Sequence, residues 1–218
     1  MIETILPAGT VAEETFADPP PTAGALFPEE AAVVARAVPK RQNEFTTVRL
    51  CARKALGRLG LPPTPLLPNR RGAPQWPAGV VGSMTHCDGY RAAVVARSAD
   101  AVSLGIDAEP NGPLPEGVLS AVSLPGERSW VRAFAARRPD VHWDRLLFSA
   151  KESVFKAWYP LTGAELDFSE AELGVEPESG TFTARLLVPG PVVAGRRVGE
   201  FSGRWAAGRG LVVTAIVL

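Results

Sequence analysis

The sequence predicts an α+β fold of two similar halves, each an antiparallel sheet packed with helices. In each half, apolar residues at helical spacing are followed by β-branched runs separated by glycine turns, which is typical of this class. The predicted halves span residues 1–112 and 113–218. A chain of 218 residues with 46% hydrophobic content can supply the cores that this fold requires.

Helices are expected where apolar residues recur at helical spacing and where prolines mark the ends. The predicted helices run from Pro28 to a stop at Pro39, from Arg41 to Leu59, from Ser129 to Arg138 and from Asp144 to a stop at Pro160. Asp144 is expected as the N-cap of the last helix, because a short acidic side chain accepts hydrogen bonds from the first backbone amides.

Strands are expected where β-branched runs are bounded by glycine, proline or aspartate turns. The predicted strands are residues 80–85, 90–96, 173–175, 181–188, 201–205 and 211–218, together with one that includes Val102, Leu104 and Ile106 and ends within residues 104–110. The first two are joined through Asp88-Gly89, a dipeptide typical of tight hairpins. Residues 1–25 are interpreted as a loop or short strand, and residues 61–77 as a proline-rich loop.

The predicted strand end within residues 104–110 carries two acids on one face. Asp107 and Glu109 are two residues apart, and side chains at that spacing project to the same side of a strand. Two carboxylates this close repel each other, and a cation between them relieves the repulsion. The alternative interpretation is a pair of solvated acids in a turn.

The last predicted helix carries an acid and a lysine one turn apart. Glu152 and Lys156 share a helical face, and a third carboxylate beside Asp107 and Glu109 would suit Mg²⁺, which prefers oxygen ligands. A lysine next to such a site indicates a phosphate ligand. The alternative is an ordinary surface Glu–Lys pair, worth only about 0.3–0.5 kcal/mol.

Charge is balanced overall but unevenly distributed. Residues 36–71 contain nine Lys and Arg against one acid, whereas residues 98–127 contain five acids and no Lys or Arg. The first region suits a polyanion and the second a cation, as expected for a nucleotide held together with a metal. A solvated helix face is the alternative for the arginines.

Cysteines and hydropathy point to the cytoplasm. Cys51 and Cys87 cannot form a disulfide framework and lack the spacing of a zinc site, and Cys51 is expected to be buried on a helix. Apolar runs fall short of the about 20 residues that cross a bilayer, and residues 1–14 are acidic, unlike a basic leader. We therefore expect a cytoplasmic chain without membrane association.

Two motifs, G-I-D-A-E at 105–109 and K-E-S-x-x-K at 151–156, resemble the signature of the 4′-phosphopantetheinyl transferases of the surfactin/enterobactin type. The resemblance extends through residues 41–56, 72–90 and 143–158, and it is greatest to actinobacterial, mycobacterial-type members. It implies two α+β halves with the active site at their junction, where Asp107 of one half would meet Glu152 of the other.

The resemblance also implies the reaction. A monomer would transfer 4′-phosphopantetheine from coenzyme A to a serine of an apo carrier domain of a fatty acid, polyketide or nonribosomal peptide synthase, releasing 3′,5′-ADP. Mg²⁺, or alternatively Mn²⁺, would be held by Asp107, Glu109 and Glu152. Glu152 would be the general base, directly or through water, and Lys151 or Lys156 would stabilise phosphoryl charge together with Asp107 and its metal.

Further residues are expected around coenzyme A through the same resemblance. His86 would contact a phosphate, although a lone histidine is more often a turn or capping residue. Phe148 and Phe155 would line the site of the pantetheine arm. Ala73 stands where some relatives have a lysine, so the phosphate contact of that lysine would come from Arg70 or Arg71 instead. The complete expected set is Arg41, Arg49, Arg53, Arg70, Arg71, Gly72, Pro74, Thr85, His86, Phe148, Lys151, Phe155 and Lys156.

Three other functions use some of the same features. A non-catalytic regulator that binds coenzyme A or a nucleotide would use the basic region, but retention of every acidic position argues against it. A metal-dependent phosphohydrolase would release phosphopantetheine into solution. Nucleic-acid binding is compatible with the basic excess but lacks a recognition motif, so we expect no nucleic-acid partner.

Overall fold

The computed structural model describes residues 1–19 and 24–218, and the chain divides into two compact units. One unit is Ala8–Ala101, and the other, the second unit, combines Met1–Pro7 with Val102–Leu218. Both contain helices and antiparallel sheets, which confirms the predicted fold class. The division falls after Ala101 instead of at residue 112, because the strand that follows pairs within the second unit's sheet.

The Ala8–Ala101 unit is a three-stranded antiparallel sheet with two helices. Its elements are β1 Thr10–Thr15, α1 Pro28–Val34, α2 Pro39–Arg58, β2 Val80–Cys87 and β3 Tyr90–Arg97, with the strands in the order β1-β3-β2. α2 packs on β3 and β1 through buried Ala52, Ala55 and Leu56. The predicted hairpin joins β2 to β3, with Gly89 at a φ of +72°.

Helix ends in this unit differ from the prediction at one proline. α1 ends at Val34, and Pro39 is the first helical residue of α2 rather than the stop of α1. Proline costs little there because the first amides of a helix have no intrahelical acceptor. β1 is the short strand expected within residues 1–25, although residues 20–23 of that stretch lie outside the described residues.

The second unit is a five-stranded antiparallel sheet covered by one long helix. Its elements are β4 Leu104–Pro110, α3 Val118–Val122, α4 Pro125–Arg137, α5 Trp143–Thr162, β5 Ala171–Glu176, β6 Thr181–Leu186, β7 Val192–Val193, β8 Arg196–Arg197, β9 Glu200–Gly208 and β10 Leu211–Val217. The sheet order is β4-β10-β9-β6-β5, and β7 and β8 form a separate hairpin. α5 packs along β4 and β10.

The ends of α5 differ from the prediction. Its N-cap is His142, and Asp144 lies in the first turn, where its carboxylate accepts a hydrogen bond from Leu114 N at 2.8 Å. Pro160 lies inside the helix, which ends at Thr162 before Gly163 in the left-handed region. The helix buries Leu147, Val154, Ala157 and Trp158, whereas Phe148, Glu152, Phe155 and Lys156 are half-buried.

Met1–Pro7 completes the second unit. A short 3₁₀ turn, Ile2–Ile5, packs on β9 and β10, with both isoleucines buried. The chain therefore contributes to the second unit, builds the Ala8–Ala101 unit, and returns to the second unit at Val102.

Cys51 is buried in α2 as predicted, and burial raises the pKa of its thiol to about 11. Cys51 and Cys87 are both free thiols. Within residues 1–19 and 24–218, none of the helices has the length and apolar character needed to cross a membrane.

Candidate functional site

β4 and α5 approach each other most closely at Gly105. A Cβ atom at this position would lie 2.1 Å from Ser153 O and 2.6 Å from Ala157 N, which are backbone atoms of α5. Ser103 Oγ donates to Ala157 O at 2.7 Å in the same contact. The glycine of the G-I-D motif is therefore required by packing, and it brings Asp107 against the helix.

Replacing this glycine should be costly. We expect Gly105→Ala to lower the free energy of unfolding by about 2–3 kcal/mol, because the added methyl meets helix backbone that cannot rotate away. Urea denaturation would measure the change. Gly199→Ala is the control in the same unit, since a Cβ there meets nothing within 4 Å. Equal stability of the two variants would contradict the packing argument.

The three predicted metal-binding acids lie on β4 and α5 together with two cations. Lys156 Nζ donates to Asp107 Oδ1 at 2.7 Å, and Arg145 Nη1 donates to Glu109 Oε2 at 3.0 Å. Glu152 lies between Arg145 and Lys156 along α5. It makes no hydrogen bond or ion pair with any residue in the described ranges 1–19 and 24–218. Asp107 and Glu109 thus each bind one basic residue of α5, whereas the Glu152 carboxylate makes no such pair among the described residues.

The electrostatics of these acids are coupled. Burial is the largest cause that raises the pKa of Glu152, with the charge of Asp107 adding to it and Lys156 opposing it. Burial also raises the pKa of Glu109, followed by Asp107, against the opposing charges of Arg145 and Lys156. Asp107 disfavours the ionisation of both glutamates, and a hard divalent cation among the three acids would relieve this repulsion. The residues present therefore fit such a cation chemically.

The acids are not arranged as a finished metal centre. In the part of the chain that the structure describes, no cluster of three His, Cys, Asp or Glu side chains is placed to hold a metal ion. Lys156 and Arg145 occupy one oxygen each of Asp107 and Glu109. A cation at this position would therefore have to share these carboxylates with Lys156 and Arg145.

One prediction about the acids is wrong. Asp107 and Glu152 do not come from different halves, because both belong to the second unit. The physical reason is that β4 pairs with β10 along its whole length, from Leu104 opposite Val217 to Pro110 opposite Leu211.

Lys151 was expected near coenzyme A, but its ammonium binds other groups of the protein. Its side chain is 2% exposed, and Nζ lies 2.9 Å from Glu127 Oε2. Nζ also donates to Phe168 O at 2.6 Å and to Ala171 O at 2.9 Å. Burial lowers the pKa of Lys151, and the Glu127 carboxylate opposes that shift. The structure therefore assigns Lys151 to holding the segment before β5, and not to an open phosphate contact.

A cavity of about 220 Å³ adjoins Glu152 within the second unit. Its lining combines the α5 residues Glu152 and Phe155 with Leu166, Phe168 and Ala171 from the segment that Lys151 holds. Phe148 packs against one wall, its ring centroid 6.0 Å from that of Phe168. Both phenylalanines that were predicted to wall the pantetheine arm therefore lie at or beside this cavity.

The exposed basic residues of the Ala8–Ala101 unit centre on Arg41 and His86. Arg41 Nη1 lies 2.7 Å from His86 Nε2. The Glu44 carboxylate lies 3.5 Å from His86 Nε2, 3.7 Å from Arg91 Nη2 and 3.9 Å from Arg41 Nη1, so an acid lies among these basic side chains. Of the other expected residues, Arg70, Arg71 and Gly72 are exposed, Pro74 is half-buried and Thr85 is buried.

Arg49 and Arg53, also expected at coenzyme A, point into the unit. The Arg49 guanidinium lies 3.3 Å from the centroid of the Phe45 ring, its Nε donates to Leu66 O at 3.2 Å, and burial lowers its pKa to about 10. Arg53 Nη1 donates to both carboxylate oxygens of Glu30, at 3.0 and 2.8 Å. These contacts hold α2 to its surroundings, and the structure does not support a ligand contact for either arginine.

Several organising residues were not predicted as part of the site. Glu44 is the one acid of the basic stretch, and that isolation was a usable signal for a role among the cations. Arg145 lies two helical turns before Glu152, so the spacing also placed it on the same face. For Arg91 and Glu127 the sequence carries no comparable signal, since their partners are distant in the chain.

Comparison with known proteins identifies the family. The family model for the 4'-phosphopantetheinyl transferase N-terminal domain matches residues 29–96, and the model for the 4'-phosphopantetheinyl transferase superfamily matches residues 103–206. The chain is 74% identical to 4'-phosphopantetheinyl transferase Svp of Streptomyces mobaraensis, over all of this chain and 89% of that protein. It is 49% identical to PptT of Mycobacterium tuberculosis, over 100% of this chain and 98% of PptT, and 48% identical to Npt of Nocardia iowensis, over 99% of each. Both relatives are named as 4'-phosphopantetheinyl transferases.

Proposed function

Because the chain belongs to the 4′-phosphopantetheinyl transferase superfamily, we propose that its acidic cluster carries out the chemistry of transfer and its exposed basic cluster binds the nucleotide end of coenzyme A. The reaction moves 4′-phosphopantetheine from coenzyme A to a serine hydroxyl of an apo carrier domain, giving the holo carrier and 3′,5′-ADP. The observation that carries this proposal is the contact of Lys156 with Asp107, whose charge also acts on Glu109 and Glu152.

We assign a divalent cation, Mg²⁺ or alternatively Mn²⁺, to Asp107, Glu109 and Glu152. Support comes from their oxygen donors. It also comes from burial and the Asp107 charge, which raise the pKa of Glu109 and Glu152. When bound, Mg²⁺ would offset the negative charge that develops on the pyrophosphate oxygens.

Glu152 is the proposed proton acceptor. Its carboxylate has no hydrogen-bond partner in residues 1–19 and 24–218, and burial holds its pKa above the usual value, which favours proton abstraction at neutral pH. The serine hydroxyl gives its proton to Glu152 as its oxygen bonds to the phosphorus that carries pantetheine. The bond from that phosphorus to the bridging oxygen breaks, and 3′,5′-ADP leaves with the bonding electrons.

Lys156 is the proposed phosphate contact. Its ammonium has three donors, of which one reaches Asp107 Oδ1 and one reaches Ile106 O. The third donor could bind a phosphate oxygen of coenzyme A while the contact with Asp107 is kept. Such positioning and charge compensation supply most of the catalysis in phosphoryl transfer.

The cavity beside Glu152 is the proposed site for the pantetheine arm. Phe155, Leu166 and Phe168 give it apolar walls that suit the methyl and methylene groups of pantetheine, and Glu165 and Asp167 add polar groups to its lining. Lys151 acts on this site indirectly, because it fixes the carbonyls of Phe168 and Ala171.

Arg41 and His86 are the proposed contacts for the 3′-phosphate, since both are exposed and adjacent. We expect Arg41→Ala to raise the KM for coenzyme A about tenfold and to leave kcat nearly unchanged. With 3′-dephospho-coenzyme A as substrate, the same substitution should change KM little, and Arg36→Ala is the exposed control. An equal rise in KM for both substrates would show that Arg41 does not contact the 3′-phosphate.

The decisive test of the function is a mass measurement. Incubating the protein with coenzyme A, Mg²⁺ and several apo carrier domains should add about 340 Da to the carrier serine. Phosphopantetheine released into solution would favour the phosphohydrolase, and coenzyme A binding without carrier modification would favour the regulator. The identity of the carriers, the monomeric state and the cytoplasmic location stay predictions.

A further inference from the structure

The guanidinium of Arg145 connects α5 to the end of β4 and the turn after it. Nη1 donates to Glu109 Oε2 at 3.0 Å, Nε donates to Gly112 O at 3.1 Å, and Nη2 donates to Pro113 O at 2.7 Å. Its side chain is 18% exposed and that of Glu109 is 20% exposed, so the pair is largely shielded from water. One side chain therefore fixes both the Glu109 carboxylate and the turn that follows it.

α5 runs antiparallel to β4, and the basic residues of the helix therefore lie beside the acids of the strand. Gly105 lies against Ser153 and Ala157, whereas Glu109 lies against Arg145, nearer the start of the helix. Arg145 and Lys156 consequently lie on either side of Glu152 along the helix. Lys156 binds Asp107 and Arg145 binds Glu109.

We propose that Arg145 is a positioning residue of the cation site, which orients the Glu109 carboxylate by occupying Oε2 and so presents Oε1 to the metal. This inference rests on the proposed assignment of Asp107, Glu109 and Glu152 to a divalent cation. Arg145 acts through Glu109 and touches neither the metal nor the substrate. Removing the hydrogen-bond partner of a metal-binding side chain typically lowers the metal affinity by about 10–100-fold.

The geometry requires arginine at this position. Three acceptors in different directions match the planar fork of a guanidinium, whereas the single ammonium of lysine cannot meet all three with its stem fixed by packing. We therefore expect a graded series in which Arg145→Lys keeps the charge but loses part of the orientation, and Arg145→Met loses both.

The experiment measures Mn²⁺ binding by electron paramagnetic resonance, with coenzyme A present and no carrier. Arg145→Met should raise the Kd for Mn²⁺ about tenfold, and Arg145→Lys should fall between that value and the wild type. In a Glu109→Gln background, Arg145→Met should give no further change, because its only route to the metal has been removed. Saturating Mn²⁺ should restore most of the kcat of Arg145→Met.

Two results would overturn the inference. One is a Kd for Arg145→Met equal to that of the wild type. The other is a full additional loss in the Glu109→Gln background, which would show that Arg145 serves only to anchor the turn at Gly112 and Pro113. Arg185→Met is the matched control, since Arg185 pairs with Glu172 on the exposed face of the sheet, and its Kd should be unchanged.

Failure of the proposed function would look different. A wild-type protein that transfers phosphopantetheine without any divalent cation, with chelator present, would remove the premise before Arg145 is considered. A wild type that needs Mn²⁺, together with an unaffected Arg145→Met variant, would remove the inference alone.

Discussion

Glu152→Gln should lower turnover by about 10²-fold or more while the protein remains folded. The amide keeps the shape of the side chain but cannot take a proton from the serine hydroxyl, and it is a poorer ligand for a hard cation. Since Glu152 makes no hydrogen bond or ion pair with other described residues, the substitution breaks no such contact in the fold. Transfer to an apo carrier at saturating coenzyme A would measure the loss.

The control for this substitution is Glu176→Gln, an exposed acid on β5. It should retain nearly full activity. If Glu152→Gln turned over at close to the wild-type rate, Glu152 would be neither the base nor a required ligand. The chemistry would then have to be assigned to another acid of the cluster.

The largest loss of stability is expected from breaking the buried pair of Glu127 and Lys151. Their side chains are 0% and 2% exposed, and Glu127 also accepts hydrogen bonds from Leu173 N at 2.7 Å and Leu124 N at 2.6 Å. Lys151→Met would leave a buried carboxylate without its cation and two carbonyls without their donor. We expect a loss of about 3–5 kcal/mol in the free energy of unfolding, measured by urea denaturation.

Two comparisons test the cause of that loss. Adding Glu127→Gln to Lys151→Met should recover part of the stability, because the double variant no longer buries a charge. Breaking the exposed pair of Arg185 and Glu172 through Arg185→Met should cost no more than about 1 kcal/mol. If Lys151→Met also cost no more than about 1 kcal/mol, water or a neighbouring group would have to compensate the buried carboxylate.

Local patterns were sufficient to predict the helices α1, α2, α4 and α5, though not the short α3, and also the hairpin at Gly89 and the acids of β4. These features depend on residues close together in the chain, and their periodicity records the burial of one face. The boundary between the units was not predictable in this way. It depends on Leu104 pairing with Val217, a long-range choice of partner that the pattern of β4 does not encode.

The basic residues show the same limit at the level of single side chains. Charge alone could not distinguish exposed Arg41 from Arg49 and Arg53, which are internal because Phe45, Leu66 and Glu30 receive their guanidinium groups. A charged residue is normally expected at the surface unless it is paired. The pairing partners become visible only when the helices are packed.

The second unit is built from two separate segments, Met1–Pro7 and Val102–Leu218. In chain order, the unit Ala8–Ala101 is therefore an insertion between them. A recombinant fragment starting at Val102 would therefore lack Ile2 and Ile5 and would present the uncovered apolar surface of β9 and β10 to solvent. Such a surface favours self-association. Anyone isolating the acid-bearing unit should graft the first seven residues onto it through a short linker.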